Sequence, residues 1–293
     1  MGTNKRCVCI ILVNYNGYKD TVECVKSILE CEYSNYRIII VDNASKDVSL
    51  LKADKWLNDN ADIVYAKENN GFSEGNNIGI EYAQRYSPDY ILLLNNDTVV
   101  IPGFIEKLLA PFDKDTTVAI TTGIINYYYD KKSCWYNFGS YSKLTGYTRM
   151  LGNYEGSEPK EVSFSTGCLM MISNSFIEKY GALSEDYFLY SEDTEYCLRV
   201  NKNGYKIVSV PEVLIYHKVN ASTGTGSKMQ QYYLVRNYLQ VIKKYGSVFP
   251  LAYVFRFLLC VYEIMRYHYD YKIIKLAFKD FKNGVTGKVD YFS

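Results

Sequence analysis

Short, uninterrupted apolar runs alternate with segments of helical spacing over the first hundred residues of this chain. The strand-like runs are Cys7–Val13, Tyr36–Val41, Asp62–Ala66 and Tyr90–Leu94. The segments with helix-like patterns between them are Lys19–Leu29, Val48–Asn58 and Asn76–Arg85. Continuous apolar strands separated by helices are typical of parallel strands that are covered on both faces. The pattern therefore predicts a Rossmann-like α/β domain.

The pattern loosens beyond Ala119 and becomes regular again near the end of the chain. The predicted elements in the middle are a strand at Val162–Ile172, a helix at Thr194–Lys202 and a strand at Tyr205–Val210. After the Ser/Thr/Gly-rich segment Ala221–Ser227, three helices are predicted at about 228–245, 250–268 and 270–283. We therefore place a domain boundary near residue 224. It separates a catalytic domain, residues 1–223, from a C-terminal helical extension, residues 224–293.

The net charge of +1 hides an uneven distribution of charge. Residues 1–223 carry about 22 Lys and Arg against about 28 Asp and Glu. Residues 224–293 carry about 11 against about 4. This split indicates an acidic catalytic part and a basic tail that contacts an anionic partner.

The last predicted helix has one apolar face and one basic face. Its apolar residues at helical spacing are Ile273, Ile274, Ala277, Phe278 and Phe281, and the lysines opposite are Lys272, Lys275, Lys279 and Lys282. A basic amphipathic helix of this kind fits the surface of an anionic inner leaflet. Packing on the catalytic domain or on a dimer partner is an equally weighted alternative. The preceding apolar stretch, Val248–Met265, is interrupted by charges, so we expect no transmembrane helix.

The 8 cysteines include no C-x-x-C pair, and several lie within apolar runs. This usage indicates reduced, buried thiols in the cytosol rather than disulfides or zinc ligands. The chain runs from Met1 almost directly into a strand-like segment, which is too short an apolar stretch for a signal peptide. We therefore expect a cytoplasmic protein that can lie peripherally on the inner face of the membrane.

Oxygen-bearing side chains follow the strongest strand-like run. Asn95, Asn96 and Asp97 come directly after Tyr90–Leu94. In open α/β sheets, ligands bind at the carboxyl edge of the strands. A carboxylate and an amide with coordination left over suit Mg²⁺ or Mn²⁺ that also grips a substrate diphosphate. A plain polar turn is the structural alternative, because Asn and Asp are common turn formers.

Three earlier clusters could contribute to ligand binding. Tyr15 follows the first strand and could stack on a base. Asp42 closes the second strand and is an acceptor suited to a ring N–H or a ribose hydroxyl. In the Asn69–Gly79 segment, Gly71 and Asn76 belong to a glycine-rich loop that could present N–H groups to an anion. Each of these also has a simple turn interpretation, and the G-x-G-x-x-G and Walker A sequences are both missing.

Two later positions complete the set of candidates. Glu192 and Asp193 are paired acids, which can supply a general base that removes a hydroxyl proton. Asp193 could alternatively be a helix N-cap. His217 follows the apolar run Val213–Tyr216 and would make sense as a third metal ligand with Asp97, although a single histidine is more often structural.

Taken in order along the chain, these motifs resemble a known family. They are Asn-Tyr-Asn-Gly, Val-Asp-Asn-Ala-Ser, Asn-Xaa-Gly-Phe-Xaa-Xaa-Gly-Asn-Asn, Leu-Leu-Asn-Asn-Asp, Thr-Gly-Cys, Glu-Asp-Xaa-Glu-Tyr-Cys-Leu-Arg and Tyr-His-Lys. The series resembles family 2 glycosyltransferases of the GT-A fold, and within them bacterial rhamnosyltransferase-like enzymes of surface polysaccharide synthesis. Arg236-Asn237 also matches that group, and the resemblance covers about residues 7–245.

The resemblance implies a GT-A mixed sheet flanked by helices, and it implies roles by position. Tyr15, Asp42, Gly71, Asn76 and Asn96 would bind the nucleotide-sugar donor. Asn95 and Asp97 stand where the family has its Asp-Xaa-Asp metal motif, with Asn95 in place of the first acid, and His217 would complete the metal site. Asp193, beside Glu192, would be the general base.

The expected activity is a metal-dependent inverting transfer of a sugar from a nucleotide diphosphate donor to a saccharide or lipid-linked acceptor. The resemblance slightly favours dTDP-rhamnose or a UDP-hexose as donor, and we expect no nucleic-acid partner. A catalytically inactive nucleotide- or glycan-binding subunit of an assembly complex is the alternative, which Asn95 alone favours. A sugar nucleotidyltransferase would want a Gly-rich, basic loop after the first strand, and Asn14–Tyr18 offers none.

Overall fold

Four parallel strands form one half of the main sheet, as the apolar runs predict. The computed structural model describes residues 6–152, 154–219 and 226–292. The elements of this half are β1 (Val8–Asn14), α1 (Tyr18–Leu29), β2 (Tyr36–Asp42), α2 (Ser49–Ala53), α3 (Lys55–Asn60), β3 (Asp62–Tyr65), α4 (Gly71–Ala83), a 3₁₀ turn (Gln84–Tyr86) and β4 (Tyr90–Asn95). Strand β1 lies between β2 and β4, and β3 lies beyond β2. The residues of β1 from Val8 to Leu12 have no exposed surface, because helices cover both faces of the strand.

Two predicted helices of this half begin or divide differently in the structure. The single helix predicted at Val48–Asn58 is two short helices, because Asp54 takes an extended conformation and its carboxylate caps α3 by accepting from Leu57 N at 3.0 Å. The helix predicted to begin at Asn76 begins at Gly71, so the glycine-rich segment is the first part of α4 rather than a loop.

The other half of the sheet is mixed. Its elements are β5 (Thr98–Val100), α5 (Phe104–Lys114), β6 (Val118–Tyr127), β7 (Cys134–Tyr136), β8 (Ser140–Tyr141), β9 (Thr148–Arg149), β10 (Lys160–Val162), β11 (Leu169–Ser173), α6 (Asn174–Tyr180), α7 (Glu192–Lys202) and β12 (Lys206–His217). Strand β11 runs antiparallel between β4 and β6, and β12 runs parallel to β6. The order of the main path is β10-β12-β6-β11-β4-β1-β2-β3, while β8 and β9 form a separate pair.

The continuous strand predicted at Val162–Ile172 is wrong. Strand β10 ends at Val162 and β11 begins at Leu169. Between them, backbone N–H groups bond to side chains instead of a strand ladder: Ser165 N donates to Cys197 Sγ at 3.2 Å, and Gly167 N donates to Asp193 Oδ2 at 3.3 Å. This interruption brings the Thr-Gly-Cys motif next to α7.

Strand β12 is longer than the predicted Tyr205–Val210. It continues through Pro211 to His217, with register shifts against β6 on either side of Val213. Proline cannot donate to a strand ladder, and irregularities of this kind accommodate it. The extension places His217 at the end of a strand in the main sheet.

Three helices follow residue 226, as predicted: α8 (Lys228–Tyr245), α9 (Phe249–Tyr267) and α10 (Tyr271–Lys282). A 3₁₀ turn at Asp290–Phe292 follows them. The boundary predicted near residue 224 lies outside the described residues. Helix α8 packs against α10 and against Phe188 of the α/β part in a shared apolar cluster. Among the helices that the structure describes, none is both long and apolar enough to cross a bilayer.

Candidate active site

One buried amide joins the ends of three strands at the carboxyl edge of the sheet. Asn14, at the end of β1, is 2% exposed, and its Nδ2 donates to Asp42 Oδ2 at 2.8 Å. Its Oδ1 accepts from Thr21 Oγ1 at 3.0 Å and from Asn96 Nδ2 at 3.4 Å. The sequence reasoning overlooked Asn14 as a site residue. A polar residue at the end of an apolar run was the available signal, and the strand register sets Asn14 opposite Asp42.

Asp42 is held tightly by the protein. Its carboxylate is 1% exposed and accepts from Asn14 Nδ2, from Ser45 N at 3.0 Å and from Ser45 Oγ at 2.7 Å. A carboxylate offers about four lone-pair sites, so these three bonds leave about one for a ligand. Tyr15 is partly exposed, and the next residue, Asn16, donates its N–H to the same Ser45 Oγ at 2.8 Å. Nucleoside contacts by Tyr15 and Asp42 stay predictions.

The glycines predicted to form an anion-binding loop have a packing role in the structure. Gly71 has φ +93°, and a Cβ there would lie 1.8 Å from Phe188 O. A Cβ at Gly75 would lie 2.9 Å from Val13 Cγ1. Asn76 is 1% exposed, and its Nδ2 donates to Phe72 O at 2.8 Å. The glycines let α4 approach β1 and the chain before α7, and donor contacts by Gly71 and Asn76 stay predictions.

Asn95, Asp97 and His217 lie together, although His217 follows Asn95 by 122 residues along the chain. His217 Nε2 is 3.1 Å from Asp97 Oδ1 and 3.4 Å from Asn95 Nδ2. Antiparallel pairing of β12 with β5, which sets His217 opposite Thr98, brings them together. Asp97 is 8% and His217 5% exposed. The ring of Trp135 meets the imidazole edge to face, with centroids 4.5 Å apart, a neighbour that the sequence reasoning did not identify.

The side chains of the Asn95–Asp97–His217 cluster are compatible with binding a hard divalent ion. Two ligands that lie about 2.1–2.2 Å from one ion, at right angles, are about 3.0 Å apart. The Asp97–His217 separation of 3.1 Å matches this distance. The amide of Asn95 can turn its oxygen to the same point by a flip. Within residues 6–152, 154–219 and 226–292, no group of three or more His, Cys, Asp or Glu side chains could hold a metal by itself. A bound ion would therefore depend on the amide and on substrate oxygens.

Helix α7 presents the paired acids from its first turn. The helix begins at Glu192 with Ser191 as its N-cap, so the alternative that Asp193 is the N-cap is wrong. Asp193 Oδ1 accepts from Thr194 N at 2.7 Å, and its Oδ2 accepts from Gly167 N. The residue after Gly167, Cys168, accepts through its carbonyl from Asn95 N at 3.0 Å. Two consecutive residues thus connect the acid pair to the Asn95–Asp97–His217 cluster.

The two acids differ in their surroundings. Glu192 is 8% exposed, and its Oε2 has no hydrogen-bond partner among the described residues. Burial, followed by the charge of Asp193, raises the pKa of Glu192 to about 8. Burial also raises the pKa of Asp193, but N–H groups of Thr194 and Gly167 oppose the rise. Adjacent carboxyl groups in such a site share protons. Burial thus raises the pKa of both acids, and the N–H groups beside Asp193 favour its charged form over that of Glu192.

Glu192 is expected to make the protein less stable as pH rises. Its pKa is higher in the folded state than the ordinary 4.5, so stability falls as pH rises from about 4.5 through about 8. Glu192→Gln removes this dependence. We expect the melting temperature of the variant, relative to that of the wild type, to rise by roughly 3–10 °C as the pH is raised from 5 to 9. Thermal unfolding at pH 5, 7 and 9 checks this, with Glu81→Gln, at an exposed position, as the control. Parallel pH curves for all three proteins would refute the raised pKa.

The mixed sheet, with polar groups at the carboxyl edge of β1, β2 and β4, defines the GT-A class of glycosyltransferase folds. Solved structures of this class share it. GalNAc-T7 with UDP, GalNAc and Mn²⁺ has a TM-score of 0.71 and 18% identity over 84% of this chain and 49% of its own. A mannosyltransferase from Pyrobaculum calidifontis in complex with GDP-Man and Mn²⁺ has a TM-score of 0.60 and 16% identity over 83% of this chain and 64% of its own. This chain thus spans about half to two thirds of those two proteins.

Sequence comparison gives the family. Residues 9–181 match the model of glycosyl transferase family 2, and the chain belongs to that family. It is 24% identical over 243 residues to a dTDP-rhamnosyl transferase, RfbF, of Shigella flexneri, which covers 80% of this chain and 79% of the relative. It is 27% identical over 228 residues to the rhamnosyltransferase WbbL of Escherichia coli K12, over 72% of this chain and 83% of the relative. The predicted family and fold are confirmed, and the protein is a glycosyltransferase.

Proposed function

We propose that this protein is an inverting rhamnosyl- or hexosyltransferase that extends a saccharide or a lipid-linked saccharide during cell-surface polysaccharide assembly. One observation carries the proposal: Gly167 and Cys168 connect Asp193 to Asn95 through hydrogen bonds. A carboxyl group that can accept a proton therefore lies beside the Asn95–Asp97–His217 cluster, where a metal ion would bind the donor diphosphate. The rhamnosyltransferases among the relatives support dTDP-rhamnose as the first donor to test.

The donor is proposed to lie along the carboxyl edge of the sheet. Tyr15 would stack on the base, Asp42 would use its remaining lone pair on the nucleoside, and Asn96 would border the diphosphate. Asp97 and His217, with Asn95, would hold Mn²⁺ or Mg²⁺. When bound, such an ion neutralises the charge that develops on a departing diphosphate. The Mn²⁺ in the two solved relatives supports this assignment.

Asp193 is proposed as the general base. It takes the proton from an acceptor hydroxyl, and the hydroxyl oxygen bonds to the anomeric carbon while the bond from that carbon to the diphosphate oxygen breaks. Attack from the face opposite the leaving group inverts the configuration, and no enzyme-linked intermediate forms. With the shared proton on Glu192, Asp193 would carry the negative charge of the pair, which is the protonation state that a base requires.

A nucleotide-release assay tests this function. Purified protein is incubated with dTDP-rhamnose, UDP-glucose, UDP-galactose or GDP-mannose, with Mn²⁺, Mg²⁺ or EDTA, and the nucleoside diphosphate released is measured. Metal-dependent release from one donor is the expected result. If no donor is turned over and none shifts the melting temperature, a non-catalytic subunit of an assembly complex becomes the better assignment. Asn95, in place of the family's acid, is the observation that favours that alternative.

The C-terminal helices are proposed to contact an anionic membrane, through a surface that the sequence did not identify. The apolar face of α10 is not available, because Ile274, Ala277 and Phe281 are buried against α8. Helix α9 instead exposes apolar side chains at alternating spacings of three and four residues. They are Leu251, Val254, Leu258, Val261 and Met265, between 39% and 74% exposed.

Basic residues adjoin this α9 surface. A groove of about 300 Å³ separates α9 from α10 and is lined by Phe257, Val261, Lys275 and Lys282, among others. Lysines beside an apolar face complement an anionic lipid surface, with about 1 kcal/mol of attraction for each. The same charges would repel a second copy of this basic face. We therefore assign the surface to the cytoplasmic leaflet, where a lipid-linked acceptor would be found.

Vesicle binding should depend on the α9 surface. Leu258 is 60% exposed, and Leu258→Glu puts a negative charge in the apolar stripe. We expect this variant to bind vesicles containing roughly 30% phosphatidylglycerol about tenfold more weakly than the wild type does, as measured by co-sedimentation. Leu144→Glu, at a residue that is 50% exposed on the β8–β9 connection, is the matched control and should bind as the wild type does. Equal binding by both variants would exclude this surface, and a dimer that only Leu258→Glu dissociates would identify a second copy as the occupant.

A further inference from the structure

The acid pair is preceded by backbone in an unfavourable conformation. Tyr190 and Ser191, directly before Glu192, have φ of 67° and 72°. Two consecutive non-glycine residues in the left-handed region are uncommon, because their Cβ atoms crowd the backbone. Such backbone persists only where its surroundings hold it, and it is concentrated at functional sites. The position of Glu192 and Asp193 therefore depends on what holds residues 189–191.

A side chain from α8 holds this backbone. Asn237 has no exposed surface, and its Nδ2 donates to Leu189 O at 2.8 Å and to Tyr190 O at 2.9 Å. Both amide hydrogens are used on consecutive carbonyls of the strained segment. An amide that donates to two successive carbonyls fixes the direction of the peptide between them.

Arg236 fixes the orientation of that amide. Its Nε donates to Asn237 Oδ1 at 3.0 Å, which makes Oδ1 the acceptor and leaves Nδ2 for the carbonyls. The guanidinium is fully buried, lies over the ring of Tyr233 with its carbon 4.8 Å from the centroid, and donates to Gly287 O at 2.7 Å. Gly287 N in turn donates to Asp186 O at 2.7 Å. The C-terminal chain therefore holds the residues before α7 at a second point.

Helix α4 holds the same stretch from the other side. Phe72 N donates to Phe188 O at 2.9 Å, and Ser73 Oγ donates to Tyr187 O at 3.0 Å. Residues 186–190 are thus fixed between α4 and the C-terminal helices. Asn237 contacts the strained segment directly, through the carbonyl of Tyr190.

We infer that Arg236 and Asn237 act as a positioning clamp, in which Asn237 sets the backbone of residues 189–191 and thereby the placement of Glu192 and Asp193. The inference rests on the proposed function, because it assigns a catalytic consequence to that placement. It gives the Arg-Asn pair a physical role. In this assignment Asn237 contacts neither the donor nor the reacting atoms. Because it positions the acids that serve the transfer step, its loss should lower the rate of turnover and leave donor binding unchanged.

Removing the clamp should lower turnover selectively. With the donor found in the nucleotide-release assay, Asn237→Ala is expected to lower kcat by roughly 10- to 100-fold and to change the donor KM by less than about threefold. Asn237→Asp keeps the size of the side chain and an acceptor for Arg236 Nε but loses both donors, so it should show the same kcat loss. Gln240→Leu is the matched control, because Gln240 on the same helix donates its amide to Val285 O at 2.8 Å, away from the acids.

A second substitution separates positioning from general stability. Ser191→Gly removes the Cβ that makes φ 72° unfavourable, so in the Asn237→Ala background it should recover at least about threefold in kcat. A merely structural role for Asn237 would give no such recovery. Wild-type kcat in both Asn237 variants, or a loss of kcat in Gln240→Leu of the same size, would overturn the clamp.

Hydrogen exchange tests the clamp without depending on transfer. Amides of residues 190–195 should exchange roughly tenfold faster in Asn237→Asp than in the wild type, while those of β1 and β4 stay unchanged. Unchanged exchange at 190–195 would refute the clamp even if no donor were turned over. Faster exchange together with a wild type that turns over no donor would instead refute the proposed function and leave the clamp standing as a structural device.

Discussion

Asp193→Asn is expected to leave a folded protein that binds donor but transfers sugar about 10²- to 10⁴-fold more slowly, which is the usual contribution of a general base. Asparagine keeps an oxygen for the N–H of Thr194, so the first turn of α7 should survive. It cannot take a proton from an acceptor hydroxyl. The measurement is kcat for transfer, together with the donor KM and the melting temperature.

Asp186→Asn is the matched control for this result. Asp186 is exposed and lies in the same stretch before α7, and its substitution should leave kcat within about twofold. If Asp193→Asn retains more than half of the wild-type kcat, Asp193 is not the base. If Glu192→Gln then shows the larger loss, the proton acceptor is Glu192, and the assignment of the shared proton is reversed.

Asp97→Asn is expected to abolish the stimulation of transfer by Mn²⁺ and to lower the metal-dependent rate by about 10³-fold or more. The substitution preserves the shape of the side chain beside His217 and removes the only carboxylate in the Asn95–Asp97–His217 cluster. Removing the metal from the wild type with EDTA should lower transfer as much, and restoring Mn²⁺ should rescue only the wild type. Two measurements check this. The first is the release of nucleoside diphosphate across a Mn²⁺ titration, and the second is the binding of Mn²⁺ in the presence of nucleotide, followed by electron paramagnetic resonance.

Asp59→Asn, on an exposed part of α3, is the control and should keep the wild-type response to Mn²⁺. Transfer that survives EDTA in the wild type, and that Asp97→Asn leaves intact, would refute the metal assignment. In that case Asp97 and His217 would form a structural pair, as their 3.1 Å contact also permits.

The sequence predicted the parts of the fold that depend on local pattern. The apolar runs of β1, β2 and β4 are continuous because both faces are buried, and each ends near its predicted residue at a polar group. Helix α4 was placed too late because glycine is a poor helix former. Tertiary contact overrides that preference in the missed first turns, where a Cβ at Gly75 would come within 2.9 Å of Val13 Cγ1.

The site was less predictable where it depends on contacts between distant segments. The proximity of His217 to Asp97 requires β12 to continue past Pro211 and pair with β5, which no local pattern shows. Trp135, whose ring contacts His217, lies in β7, in the region beyond Ala119 where the sequence has no clear hydrophobic pattern. Asn14 was overlooked because its role arises only when three strand ends meet.

Helix α8 also has a consequence for any shortened form of this enzyme. Glu195, on the helix that carries the acids, has no exposed surface, and it accepts from Tyr245 Oη at 2.7 Å and from Lys244 Nζ at 3.0 Å. A truncation before α8 would remove those two partners and uncover Phe188. The buried carboxylate of Glu195 and the ring of Phe188 would then both be exposed to solvent. The smallest fragment that retains activity should therefore extend well beyond the 9–181 stretch that defines the family.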